Sequence, residues 1–189
     1  VISEVKRLVV GPLATNCYVV AAGDAAVVID PGAQVHEVMK AVEGLGVLAV
    51  MVTHGHSDHV GGVDDFLAET SVPFLAPAAD AALISKHVSA EPTRPVSDGD
   101  RLEFGPLNFD VMATPGHTPG SCCYYAPGIL FSGDTLFAGG VGRTDLPGGS
   151  GDALFEAIRE RIFALPDDTV VYPGHGEFTT VGREKESNP

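Results

Sequence analysis

An α/β fold is what the sequence predicts, because short apolar runs of strand length alternate with segments of helical periodicity. One run, Val47–Thr53, is continuous enough for a strand buried on both faces. The polar residues that stand out recur in loops directly after such runs. The 189 residues suit one large domain over 1–189, which can bury a core without staples.

Leu8–Val10, Cys17–Ala21 and Ala26–Asp30 read as strands parted by Gly-Pro and Gly-Asp turns. Val35, Val38, Met39, Val42 and Leu45 recur at helical spacing, and Gly46 stops that helix. Val47–Thr53 leads into His54-Gly55-His56-Ser57-Asp58-His59, and Val60, Val63, Phe66 and Leu67 begin a second helix. Ala78–Ser85 reads as a helix and Glu91–Gly99 as a polar, proline-bearing connection. Leu107, Phe109, Val111 and Ala113 mark a half-buried strand ending in Thr114-Pro115-Gly116-His117. Ser121–Tyr125 and Ile129–Phe131 flank a Pro127-Gly128 turn, and the second strand ends in Ser132-Gly133-Asp134. A glycine-rich loop, Ala138–Gly151, precedes a helix capped by Asp152. Leu154, Ile158, Ile162 and Leu165 form its apolar face and Pro166 ends it. Val170–Tyr172 is a last strand, ending in Pro173-Gly174-His175-Gly176.

Composition narrows the function. Hydrophobic residues make up 44% and charged residues 19%, as in a globular chain. No apolar run approaches the ~20 residues of a membrane helix. The formal net charge of −14, with no basic stripe, repels polyanions and counts against a nuclease or other nucleic-acid partner. The opening Val1–Arg7 lacks the order of a signal peptide, so the cytoplasm is the expected location. Three cysteines, Cys17, Cys122 and Cys123, make no disulfide framework and fit a reducing compartment. Cys122 and Cys123 read as small hydrophobes rather than metal or redox groups, with one of the pair facing the core.

Five of the seven histidines, His54, His56, His59, His117 and His175, lie in strand-exit loops beside glycine. His36 and His87 do not, and read as solvated surface. Three histidines and an aspartate within six residues are a metal pattern. His54 and His56, two apart in an extended segment, can chelate one ion. Asp58 and His59, in the turn that opens the next helix, can face a second ion. Small residues at Gly55 and Ser57 leave room for close wrapping. His117 can complete the first shell and His175 the second, while the two oxygens of Asp134 can bridge. Imidazoles and carboxylates without thiolate suit zinc first, with iron or manganese also acceptable. Roughly three to four protein ligands per ion would leave open positions, as a catalytic site requires.

His54-x-His56-x-Asp58-His59, followed by His117, Asp134 and His175, resembles the metallo-β-lactamase superfamily over essentially the whole chain. The resemblance implies a four-layer αββα sandwich with the site at one edge between the sheets. It also implies His54, His56 and His117 on one ion, Asp58, His59 and His175 on the other, and Asp134 between them. True β-lactamases replace the bridging aspartate, which is retained here. Thr114–Ser121, Phe137–Asp145 and Pro173–Gly176 look like the glyoxalase II (hydroxyacylglutathione hydrolase) branch, in its short bacterial form without a C-terminal helical domain.

That likeness implies hydrolysis of a small-molecule thioester such as S-lactoylglutathione. Two cations sharing a water lower its pKa to roughly 7, which makes hydroxide available at neutral pH. Asp58 is the expected catalytic carboxylate, binding metal and orienting the nucleophile. Asp30, in Val28-Ile29-Asp30-Pro31-Gly32, is a candidate partner for a ligand histidine; the alternative is a turn aspartate. Arg143 is the candidate contact for a substrate carboxylate; the alternative is a local pair with Asp145. Three other functions compete: a persulfide dioxygenase with one iron, a hydrolase of other esters or lactones, and a non-catalytic metal-binding module.

Overall fold

Apolar runs too continuous for one-faced strands form the centres of two six-stranded sheets. The computed structural model describes residues 1–189. The first sheet runs β1 (Glu4–Val10), β2 (Thr15–Ala22), β3 (Ala25–Ile29), β4 (Gly46–Met51), β5 (Phe74–Pro77), β6 (Arg94–Val96). Its β1–β3 pairings are antiparallel, and β3 to β6 pair in parallel. Helices α1 (Val35–Ala41), α2 (Ser57–Val60), α3 (Val63–Thr70) and α4 (Ala81–Ile84) fill the parallel crossovers.

The second sheet contains β7 (Arg101–Phe104), β8 (Leu107–Ala113), β9 (Cys122–Ala126) and β10 (Ile129–Gly133) as an antiparallel meander. A small hairpin, β11 (Leu136–Phe137) and β12 (Gly140–Val141), leaves the sheet before α5 (Gly151–Ala157). Then β13 (Val170–Pro173) pairs in parallel with β10, and β14 (Thr179–Thr180) and α6 (Val181–Ser187) close the chain.

Three apolar clusters prove the layering. Val38, Val63 and Phe66 of the helices pack with Val19 and Val28 on the outer face of the first sheet. Val20, Ile29 and Met51 pack with Phe109, Tyr124 and Phe131 between the sheets. Leu154, Ile158 and Val181 pack with Cys123, Leu130 and Val171 on the far side of the second sheet. The order is therefore helices, sheet, sheet, helices, the four-layer αββα sandwich expected. All eight residues of β2 are buried, because this strand is covered on both faces.

Several expectations need correction. The first helix ends at Ala41, and the residues to Leu45 form turns. The helix expected from Val60 is two pieces, α2 and α3. Glu91–Gly99 contains β6, whose backbone pairs with β5, and the glycine-rich loop contains β12. Ser150, not Asp152, caps α5: its Oγ accepts from Ala153 N at 3.3 Å, and Asp152 lies inside the first turn. Val170–Tyr172 is not the last element. Cys122 and Cys123 are both buried, one in the core between the sheets and the other under α5, because β9 is covered on both faces. Burial pushes the Cys123 thiol up to about 11 and raises Cys17 and Cys122 as well. No helix is long and apolar enough to cross a membrane.

Candidate metal centre

The site assembles at one rim of the sandwich, where strands of both sheets end. Beyond β4, Thr53–His56 descends into α2, which begins at Ser57 and carries Asp58 and His59. His117 follows β8, Asp134 follows β10 and His175 follows β13. Strands thus deliver all seven predicted residues to one place, with His54 and His59 fully buried and His175 partly exposed.

Ligand atoms gather in three overlapping groups: His54, His56, His117; His54, His59, Asp134; and Asp58, His59, His175. Within each group the atoms lie within 4.8 Å of one another. His56 Nδ1 and His117 Nε2 are 2.9 Å apart. Asp134 Oδ2 lies 3.4 Å from both His117 Nε2 and His175 Nε2. His59 Nε2 is 3.2 Å from Asp134 Oδ1, without the alignment of a hydrogen bond.

Four of the rings are held from behind. The Nδ1–H of His59 donates to Asp30 Oδ2 at 2.8 Å, that of His117 to the Arg143 carbonyl at 2.7 Å, and that of His175 to the Leu13 carbonyl at 3.1 Å. His54 Nδ1 lies 3.1 Å from Thr53 Oγ1, whose own proton goes to Asp30. Each of these contacts places the Nδ1 proton outward, so that Nε2 faces inward and is the atom a cation would take. His54 Nε2, His59 Nε2 and Asp134 Oδ1 are buried with no hydrogen-bond partner. Buried polar atoms are normally satisfied, so three convergent orphans of donor type fit a cation. The residues present therefore suit a metal centre.

Electrostatics agree with that fit. Burial would raise Asp58 and Asp134, but the facing histidines outweigh it and hold both carboxyls below the usual range. Burial would lower His59, but the Asp134 and Asp30 charges outweigh it and raise the ring. Hydrogen bonds with Asp134 and Asp58 push His175 up to about 10. Burial, then neighbouring histidines, lowers His54 and His56.

The cluster floors a cleft of about 540 Å³, also lined by Leu13, Phe137, Val141, Arg143 and Leu146. Arg143 is exposed and makes a bidentate pair with Asp145, at 2.7 and 2.9 Å, so it sits on the cleft and in the local pair at once. His36 is exposed. His87 is exposed too, but lies on the cleft wall. A second groove of about 500 Å³, at Met39, Leu45 and Thr70 with His36, Lys40 and Glu43 on its wall, gathers no group of metal-ligating atoms.

Sequence reasoning missed two supporting groups. Thr15 Oγ1 donates to Asp58 Oδ2 at 2.8 Å. Asp80 is buried against both ligand loops. The one signal for Asp80 was a lone acid in the small apolar run Ala78–Ile84.

A four-layer αββα sandwich with a histidine–aspartate cluster at its rim defines a class of metal-dependent proteins. The chain belongs to the metallo-beta-lactamase superfamily, whose sequence profile matches residues 10–175. It is a metallo-hydrolase of that superfamily. The probable metallo-hydrolase YqgX of Bacillus subtilis (strain 168) is 36% identical, covering 97% of this chain and 95% of its own. Hydroxyacylglutathione hydrolase GloC of Haemophilus influenzae is 35% identical, covering 87% and 86%. Among solved structures, BLEG-1 B3 metallo-beta-lactamase superposes with a TM-score of 0.91 at 36% identity, covering 98% of each chain. TTHA1623 in a di-iron-bound form gives 0.88 at 38%, covering 97% and 98%. ETHE1 from Myxococcus xanthus gives 0.89 at 32%, covering 98% and 83%.

Proposed function

We propose that this protein hydrolyses a thioester of a glutathione-like thiol, with S-lactoylglutathione as the type substrate, at a centre of two divalent ions. The observation that carries the reading is the pair of triads, His54/His56/His117 and Asp58/His59/His175, meeting at Asp134. The first triad would hold one ion, the second the other, and Asp134 would reach both. Zinc suits these ligands, and iron or manganese are accepted by the same set; the di-iron form of TTHA1623 supports a paired centre. The likeness to GloC supports the thioester.

Divalent ions held there would supply a nucleophile at neutral pH and a Lewis acid for the carbonyl oxygen. Asp58, fixed by Thr15, orients the attacking water from the floor of the cleft. Leu13, Phe137, Val141 and Leu146 offer an apolar wall for the acyl and thiol chains. Arg143 exchanges Asp145 for a substrate carboxylate. A thiolate leaves readily, so no strong general acid is needed. Buried, unbridged cysteines support a reducing, cytoplasmic setting.

Elemental analysis of native protein together with turnover of S-lactoylglutathione tests the reading. Two metal equivalents and rapid turnover are expected. Oxygen consumption with glutathione persulfide would replace it with a dioxygenase. Turnover confined to other esters, lactones or β-lactams would replace the substrate. Metal uptake without turnover on any of them would leave a binding module.

A further inference from the structure

We propose that Asp80 is a positioning residue that locks together the two loops carrying His54, His56 and His117, and so sets the affinity of the ion those three would hold. The proposal rests on the two-ion reading above.

Asp80 occupies the N-cap position of α4, yet its carboxylate caps nothing in that helix. It turns inward instead. Oδ2 accepts from Gly55 N at 2.9 Å and from Thr118 Oγ1 at 2.7 Å, and Oδ1 accepts from Gly120 N at 2.7 Å. Gly55 is the link between His54 and His56, and Thr118 follows His117. One buried carboxylate therefore ties two loops that are 61 residues apart at His56 and His117. The fit is close, since a Cβ on Gly120 would lie 2.6 Å from Asp80 Oδ1. Such a contact cannot slide without moving a ligand loop.

The tie is selective. Asp58, His59 and His175 are held by Thr15, Asp30 and the Leu13 carbonyl, and none of them touches Asp80 through a hydrogen bond. Asp30 holds His59 directly and reaches His54 through Thr53, whereas Asp80 ties only the loops of the first triad. Groups that orient ligands in this way typically govern metal affinity by about 10–100-fold. Asparagine at position 80 keeps the volume, but in either orientation its NH₂ faces a backbone N–H, that of Gly55 or of Gly120, so one of the two backbone ties is lost and the charge that strengthens the others is removed.

The test is a chelator-competition titration of the full chain with Zn²⁺, wild type against Asp80→Asn, with ¹⁵N-histidine NMR to assign each ion. Wild type is expected to bind two ions. In Asp80→Asn, one ion is expected to weaken about 10–100-fold, with altered ring-nitrogen signals for His54, His56 and His117 and unchanged ones for His59 and His175. Unchanged affinity for both ions, or equal weakening of both, overturns the role of Asp80. Uptake of fewer than two ions by the wild type overturns the two-ion reading and the proposal with it. If Asp80→Asn does not fold, Thr118→Val removes one donor at constant shape; a smaller weakening of the same ion supports the proposal, and no change there overturns it.

Discussion

Asp30 receives the Nδ1–H of His59 at 2.8 Å from a backbone position with φ of +54°. The same carboxylate accepts from Thr53 N and Thr53 Oγ1, both at 2.7 Å. One side chain therefore joins the end of β3 to the end of β4 and sets the orientation of His59. The left-handed backbone aims it there, and aspartate and asparagine tolerate that conformation better than other side chains bearing a Cβ.

Two substitutions separate the carboxylate from the backbone. Asp30→Asn keeps the left-handed conformation but loses charge, and is expected to destabilise by about 2 kcal/mol through weakened buried hydrogen bonds. Asp30→Ala loses the bonds and adds roughly 1–2 kcal/mol of backbone strain. Urea unfolding of both variants measures the difference. Equal losses would show that the strained backbone contributes nothing.

Gly174 is expected to be irreplaceable for a different reason. A Cβ there would overlap Asp134 Oδ1 and lie 2.7 Å from His59 Cε1. The segment cannot retreat, because Gly174 N donates to Gly133 O at 2.8 Å and Gly174 O accepts from Asn16 N at 2.7 Å. Gly174→Ala should lose most of its metal content and about 1–3 kcal/mol of stability through overpacking. Normal metal content by elemental analysis would contradict this account.

The cluster was legible because its residues sit where strands end, and strand ends announce themselves as apolar runs followed by glycine. His54–His59, His117, Asp134 and Asp30 all follow that rule. Short, polar or proline-bearing strands do not: β6 contains Arg94-Pro95-Val96 and β14 only two threonines, so their membership of a sheet comes from backbone pairing alone. Asp80 was hidden because its partners are backbone N–H groups and a hydroxyl, which leave no side-chain pattern in sequence. Ser150 outcompeted Asp152 as a cap because extended backbone at position 150 lets its hydroxyl reach Ala153 N.

Arg143 faces two partners, and the choice is measurable. Its guanidinium is exposed and already paired with Asp145. Arg143→Ala is expected to raise KM for glutathione thioesters several-fold with kcat nearly unchanged, the sign of lost uniform binding. Asp145→Asn frees the guanidinium and should lower KM. Both effects should shrink with salt, because exposed charges are screened beyond about 8 Å at physiological ionic strength. An unchanged KM in Arg143→Ala would remove this residue from the substrate site.

Metal loading should expel protons, and the site's electrostatics point to His175 as a source. Asp134 and Asp30 raise His59 against burial, and Asp134 and Asp58 push His175 up to about 10. Near neutral pH the His175 ring holds a proton, while His54 and His56, lowered by burial, present lone pairs. Asp58 and Asp134 are ionised. An ion that takes His175 must displace its proton, so loading should release about one proton or more. The stability linkage has a definite sign. His175 rises from 6.5 to about 10 on folding, so its contribution is complete below 6.5 and lost as pH rises through about 10. Protein stripped by a chelator should therefore weaken across that window, and loaded protein should not, because the displaced proton no longer titrates. Proton release in weakly buffered solution and urea midpoints against pH test both halves. Loading that releases no protons near neutrality would mean that His175 does not receive an ion.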